Sequence, residues 1–153
     1  QGKVLPDLLA SLLDHPYFSR PYPKSTGREL FSLSWLQGRL KGNEKPEDVI
    51  RTLVFYTAQT IFDATKQAAP AIHNLYICGG GIRNPVLMQD LETLFSPDTK
   101  LHSTAKLHLD PQWVEAAAFA WLAACWCNQV PSNSHHATGA HSHRILGSGH
   151  YGN

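Results

Sequence analysis

The stretch LYICGGGIRNPVLM, residues 75–88, decides the fold. Leu75 to Cys78 is a short apolar run of strand length, and Gly79, Gly80 and Gly81 end it. Asn84 is a good N-cap, because its side-chain oxygen accepts from free backbone N–H groups, and Pro85 suits the first helical position. The unit reads as strand, glycine-rich turn, helix. Glycines there let a ligand approach the backbone, and a helix N-terminus offers N–H groups to an anion. A nucleotide is the natural candidate. A tight strand-to-helix turn that holds no ligand fits the same residues equally well.

Working outward, the helix opened by Pro85 runs to about Phe95, with Val86, Leu87, Leu91, Leu94 and Phe95 expected in the core. Lys100–Thr104 fits a second short strand. Upstream, Pro46 opens a long helix that Pro70 closes, with Glu47 and Asp48 suiting its N-terminus. Ile50, Leu53, Val54, Thr57, Ala58, Ile61 and Ala64 or Thr65 mark its expected apolar face. Earlier still, positions 5, 8, 9, 12 and 13 are apolar at helical spacing. His15-Pro16 and the Pro21/Pro23 pair predict an extended break, and Leu30–Leu36 a short helix. Asp110-Pro111 is expected to cap and begin a last helix reaching about Asn128. Past Glu115 that helix is apolar on every side, which predicts burial. The order is α/β and helix-rich with at least two short strands. Two strands are too few for a stable open sheet.

At 153 residues the chain is one domain in size, and 42% hydrophobic against 16% charged residues allows a packed core. A formal net charge of +1 gives no case for nucleic acid or a membrane surface. No apolar run reaches membrane-span length and no signal peptide opens the chain, so a cytoplasmic location is expected. The chain starts Gln1-Gly2-Lys3 without Met, which together with the missing strands suggests part of a longer protein. Of three cysteines, Cys125 and Cys127 point apart on a helix and Cys78 ends a strand; buried thiols in a reducing compartment are expected.

Several familiar motifs are excluded. Gly79–Gly81 lacks the G-x-G-x-x-G pattern, since position 84 is Asn, and no Gly-Lys-Ser/Thr follows it. Lys24-Ser25-Thr26-Gly27 has no glycine-rich lead for a P-loop. Glu115, the lone acid inside the last helix, suits either a helix N-terminus or a cleft mouth where it would accept hydrogen bonds from a polar substrate. His135, His136, His141, His143 and His150 crowd the tail without zinc-ligand spacing.

Four segments in order carry a resemblance: Lys24-Ser25-Thr26-Gly27-Arg28-Glu29 with Phe31 and Trp35-Leu36; Cys78–Gly81 with Asn84 and Leu87-Met88; Asp110 with Glu115-Ala116 and Ala118–Ala123; and Thr138-Gly139-Ala140 with Leu146-Gly147. The chain resembles, over nearly its whole length, the C-terminal part of the anhydro-N-acetylmuramic acid kinase family. The resemblance implies the actin-like, sugar-kinase and heat-shock ATPase superfamily, with two ribonuclease-H-like lobes around a nucleotide cleft. Residues 1–130 would be the C-terminal portion of the second lobe, and 131–153 an irregular His-rich tail.

The implied chemistry uses ATP, Mg²⁺ and water to open the 1,6-anhydro ring of anhydro-N-acetylmuramic acid and phosphorylate O6, in cell-wall recycling. By the same resemblance, Gly79, Gly80, Gly81 and Asn84 would face the nucleotide. Glu115 would meet the sugar, and Ser25, Thr26 and Arg28 would either contact substrate or form a structural turn beside the cleft. No catalytic or metal-binding residue is expected in this chain, because the family's phosphate loop and base Asp would lie upstream; no nucleic acid or membrane partner is implied, and a homodimer is allowed. The family usually carries Gly where His108 stands. A non-catalytic nucleotide-binding module and an interaction fragment with an open sheet edge are the competing readings.

Overall fold

The computed structural model describes residues 2–150; Gln1 and residues 151–153, which the expected lobe and tail include, lie outside the described residues. Helix α1 (Pro6–Leu13) and one-turn helix α2 (Pro16–Ser19) lead to α3 (Leu33–Gln37) and long α4 (Pro46–Ala68). Strand β1 (Asn74–Ile77), α5 (Pro85–Phe95) and β2 (Lys100–Ser103) follow, then α6 (Val114–Cys127) and one-turn α7 (His135–Thr138). β1 and β2 are parallel, with Leu75 opposite Leu101 and Ile77 opposite Ser103. A parallel pair requires a crossover, and α5 supplies it.

The core lies between this β–α–β unit and α4. Ala58, Leu91 and Phe95 are buried together, with Phe62, Leu75, Ile77 and Leu101 packed against them. The rings of Phe62 and Phe95 meet edge-on at 5.0 Å. Arg51 of α4 forks onto Asp90 of α5 through two bonds of 2.8 and 2.7 Å. Leu8 and Leu12 seat α1 on α4, where the buried Thr52 hydroxyl accepts from Leu5 N–H and donates to the Asp48 carbonyl.

Several expectations are corrected. The break at His15-Pro16 is a helical turn, because His15 Nδ1 accepts from Tyr17 N–H and caps it. The helix expected over Leu30–Leu36 starts at Leu33, where the Ser32 hydroxyl accepts from Trp35 N–H. The buried stripe of α4 is rotated from the expected one: Ile50 is 62% exposed and Thr57 and Ile61 face solvent, while Thr52 and Ala58 are sealed. α4 has apolar residues on more than one side, and only contact with α1 and α5 selects among them. In α5, Leu91 and Phe95 are buried, but Val86, Leu87 and Leu94 only half so. Cys78 lies one residue past β1 and is exposed, as is Cys127; Cys125 alone is buried.

The largest correction concerns α6. Asp110-Pro111 forms a separate turn, with the Asp110 carboxylate accepting from Gln112 N–H at 2.8 Å, and the helix proper begins at Val114. It is not enclosed. Trp113, Phe119 and Trp121 are 65%, 66% and 57% exposed, and α6 runs along no other helix or strand among the described residues. The tail folds on itself, with Ser132 N–H donating to the Arg144 carbonyl and Arg144 N–H to Asn133 Oδ1, and it returns to α6 at Gly149, which lies so close on the Trp126 indole that a Cβ would not fit.

Candidate functional site

The glycine turn is built as its sequence predicts. After Ile77 the chain turns at Gly79, whose φ of 80° and ψ of −178° are open to glycine almost alone. Residues Gly80–Arg83 form a 3₁₀ turn, and Asn84 Oδ1 accepts from Val86 and Leu87 N–H at 3.1 and 3.2 Å, opening α5. Asn84 therefore spends its side-chain oxygen on the cap. Gly79 N–H is not free either, because it donates to the Pro111 carbonyl at 2.8 Å.

Gly80 and Gly81 differ from Gly79. Neither has a positive φ; a Cβ on Gly80 would meet nothing within 4 Å, and one on Gly81 only Leu87 at an ordinary 3.5 Å. Nothing in the described structure requires glycine at these two positions. Their N–H groups start the 3₁₀ turn and so have no partner inside it. An outside group approaching the backbone would account for both glycines.

The Gly79–Pro111 bond carries the start of α6 to this turn. Glu115, in the first turn of α6, is thereby held on an element tied to the glycines, and it is exposed. Ser25, Thr26 and Arg28 are placed elsewhere. They are exposed on a turn in which Gly27 carbonyl accepts from Leu30 N–H and from the Thr26 hydroxyl, both at 3.3 Å. Lys24 anchors that turn, its ammonium donating to the Tyr17 and Phe18 carbonyls and lying 5.1 and 5.0 Å from the Tyr17 and Tyr22 rings. Among the described residues no hydrogen bond joins this turn to the glycines or to α6. The tail motif does meet it: a Cβ on Gly139 would lie 3.3 Å from Pro23.

A cavity of about 570 Å³ between α1 and the start of α4 has none of the expected site residues in its lining. The glycine turn lies at the C-terminal end of β1, the end of a parallel strand outside which ligands bind in open α/β sheets. Among the described residues no three His, Cys, Asp or Glu side chains are grouped to hold a metal. The His135 and His143 rings meet edge-on, 4.3 Å apart. Among the described residues no helix is long and apolar enough to cross a membrane.

Comparison with known proteins decides the family. The sequence profile of anhydro-N-acetylmuramic acid kinase matches residues 1–152. The chain belongs to the anhydro-N-acetylmuramic acid kinase family. It is 63% identical over 151 residues to the anhydro-N-acetylmuramic acid kinase of Neisseria meningitidis serogroup C, covering 99% of this chain and 41% of that protein. It is 62% identical to the kinase of Neisseria gonorrhoeae over the same shares, and 50% identical over 147 residues to that of Idiomarina loihiensis, covering 95% and 40%. The chain thus spans about two fifths of the length of these anhydro-N-acetylmuramic acid kinases.

Two features of the chain have no local signature in its sequence. The Arg51–Asp90 fork joins residues 39 apart, with no local signal to pair them. Pro111 lends a backbone carbonyl, which no side-chain pattern reveals. His108, at the position where the resemblance expects Gly, sits at φ 60° and ψ 24°, the left-handed region that glycine adopts most readily.

Proposed function

We propose that this chain is the C-terminal part of the second, ribonuclease-H-like lobe of a two-lobe kinase in the cytoplasm. With ATP and water, that kinase would open the 1,6-anhydro ring of anhydro-N-acetylmuramic acid and phosphorylate its O6, recycling cell-wall sugar. The observation that supports this reading is the open backbone at Gly80 and Gly81, bare enough for a nucleotide to approach, in a chain of this family.

The residues present fit the adenosine side of ATP. Gly80 and Gly81 leave the backbone bare for close approach, and Gly79 fixes the turn through Pro111. Asn84 serves the site by holding the start of α5 through its cap. They do not fit Mg²⁺, for which hard oxygen ligands are needed and no acidic group is assembled among the described residues. Metal, phosphate loop and base belong to the other part of the enzyme in this reading.

Glu115 has the role of accepting hydrogen bonds from sugar hydroxyls at the cleft mouth. Ser25, Thr26 and Arg28 are substrate-side residues, brought to the cleft by the remainder of the protein.

The test joins this chain to the segment of the N. meningitidis kinase that lies outside the match. The joined protein is expected to convert ATP and the anhydro-sugar to the 6-phosphate, and the chain by itself to give no turnover. Turnover by the chain alone, or none by a folded joined protein, would overturn the assignment.

A further inference from the structure

Lys24 is a half-buried cation without an acid beside it. Its ammonium donates to the Tyr17 and Phe18 carbonyls at 3.3 and 2.9 Å and lies 5.1 and 5.0 Å from the Tyr17 and Tyr22 rings. No carboxylate pairs with it among the described residues. A lysine drawn out of water is ordinarily matched by an opposite charge. An ammonium has three N–H donors, and the two carbonyls take two of them.

One donor is left, and Lys24 lines a cavity of about 280 Å³ between α2 and the C-terminal half of α4. Tyr17, Phe18 and Tyr22 form an aromatic wall of the same cavity. Asp63 and Gln67, one helical turn apart on one face of α4, line it as well. Asp63 Oδ1 accepts from the Gln59 amide at 2.9 Å; its second oxygen and the Gln67 amide make no hydrogen bond among the described residues.

These groups select a ligand by its chemistry. The unpaired cation calls for an anion, and the bonds that fix its ammonium are in place before one arrives. Asp63 faces the same space and opposes a second negative charge, so a carboxylate fits where a phosphate, at about −1.5 to −2, does not. The open Asp63 oxygen takes donors and the Gln67 amide takes either kind, which hydroxyl groups satisfy. The volume falls just below the roughly 300–1,000 Å³ of drug-sized sites, enough for one sugar ring and too small for a nucleotide.

We propose that this cavity binds a sugar acid of a single ring. Its carboxylate lies on the Lys24 ammonium, its hydroxyls on Asp63 and Gln67, and its flat face against the tyrosines. The site rests on these residues and not on the kinase chemistry proposed above.

Calorimetric titration of the chain tests it, with sodium glucuronate as the probe and glucose, sodium acetate and glucose 6-phosphate as controls at equal ionic strength. Glucuronate is expected to bind at least about 10-fold more tightly than any control. Lys24→Gln should abolish that binding. Because Lys24 also anchors its turn, Tyr22→Ala and Gln67→Ala, at two exposed positions, carry the test where that variant fails to fold. Each should weaken glucuronate binding about 3-fold or more at an unchanged melting temperature. Acetate bound as tightly would make this a plain anion site, glucose bound as tightly would leave the cation unused, and glucose 6-phosphate bound as tightly would deny the role of Asp63. Each of these results would overturn the proposal, as would glucuronate binding that Tyr22→Ala and Gln67→Ala leave unchanged, or no saturable binding at all.

Discussion

The backbone N–H of Gly79 donates to the carbonyl of Pro111 at 2.8 Å, tying the glycine turn to the segment that starts α6. One bond thus holds together the two segments for which nucleotide and sugar contact are proposed above. Because Gly79 reaches it at φ 80° and ψ −178°, an L side chain there strains the backbone even though a Cβ would touch nothing. Gly79→Ala is expected to cost about 1–3 kcal/mol, whereas Gly80→Ala, free of both constraints, should cost under about 1 kcal/mol. Denaturant melts of the two variants check this; equal losses would show that the turn is not held at Gly79.

The Arg51–Asp90 fork is half hidden, with the two side chains 23% and 10% exposed. Removing one partner leaves a charge partly desolvated against the core that joins α4 to α5. Asp90→Ala or Arg51→Ala is expected to lower stability by about 2–4 kcal/mol, with the double variant less than additive. Chemical denaturation of the three proteins provides the cycle, and strictly additive losses would deny the pair.

The C-terminus of α6 is a Schellman arrangement: Val130 N–H donates to Cys125 carbonyl at 2.9 Å and Gln129 N–H to Trp126 carbonyl at 3.1 Å. Gln129 occupies the left-handed position, at φ 56°, where glycine is preferred. Gln129→Gly should therefore stabilise by about 0.5–1 kcal/mol, and His108→Gly by a similar amount. A fall in melting temperature for both would contradict the backbone assignment.

Tyr56 packs beside Trp35 and Phe18, and burial pushes its hydroxyl up to about 12, against a smaller opposing pull from Arg39. A phenol whose folded pKa exceeds its unfolded one holds its proton better when folded. Its contribution is intact below pH 10 and is lost as pH rises through about 12. Tyr56→Phe should flatten the alkaline loss of stability between those limits; an unchanged slope would place the cause in other groups.

The parts legible in the sequence are those set by neighbours along the chain. Asn84 and Pro85 mark the start of α5 because cap and first turn lie within three residues, and Leu75 to Ile77 read as strand by composition alone. What the sequence left out depends on distance. The solvent-facing Ile50 and Ile61 read as core because α4 carries apolar residues on several sides, and only α1 and α5 decide which side closes. Phe119 and Trp121 read as buried because α6 is apolar on every side past Glu115, yet both are exposed. At the site, the glycines were visible, but their tie to Pro111 runs through a backbone carbonyl that no residue type announces. The Lys24–Glu29 turn was readable as a motif, yet its position away from the glycines was not.

The central claim is that Gly80 and Gly81 form bare backbone against which ATP lies. The most direct measurement is the ATP KM of the joined full-length kinase carrying Gly80→Val, with melting temperature followed in parallel. A Cβ at Gly80 meets nothing in this chain and its φ is ordinary, so folding should be nearly unaffected. The prediction is an ATP KM raised on the order of 10-fold or more, equivalent to at least about 1.4 kcal/mol of lost binding, with sugar KM little changed. An ATP KM equal to that of the unsubstituted protein, at full expression and unchanged melting temperature, would contradict the account.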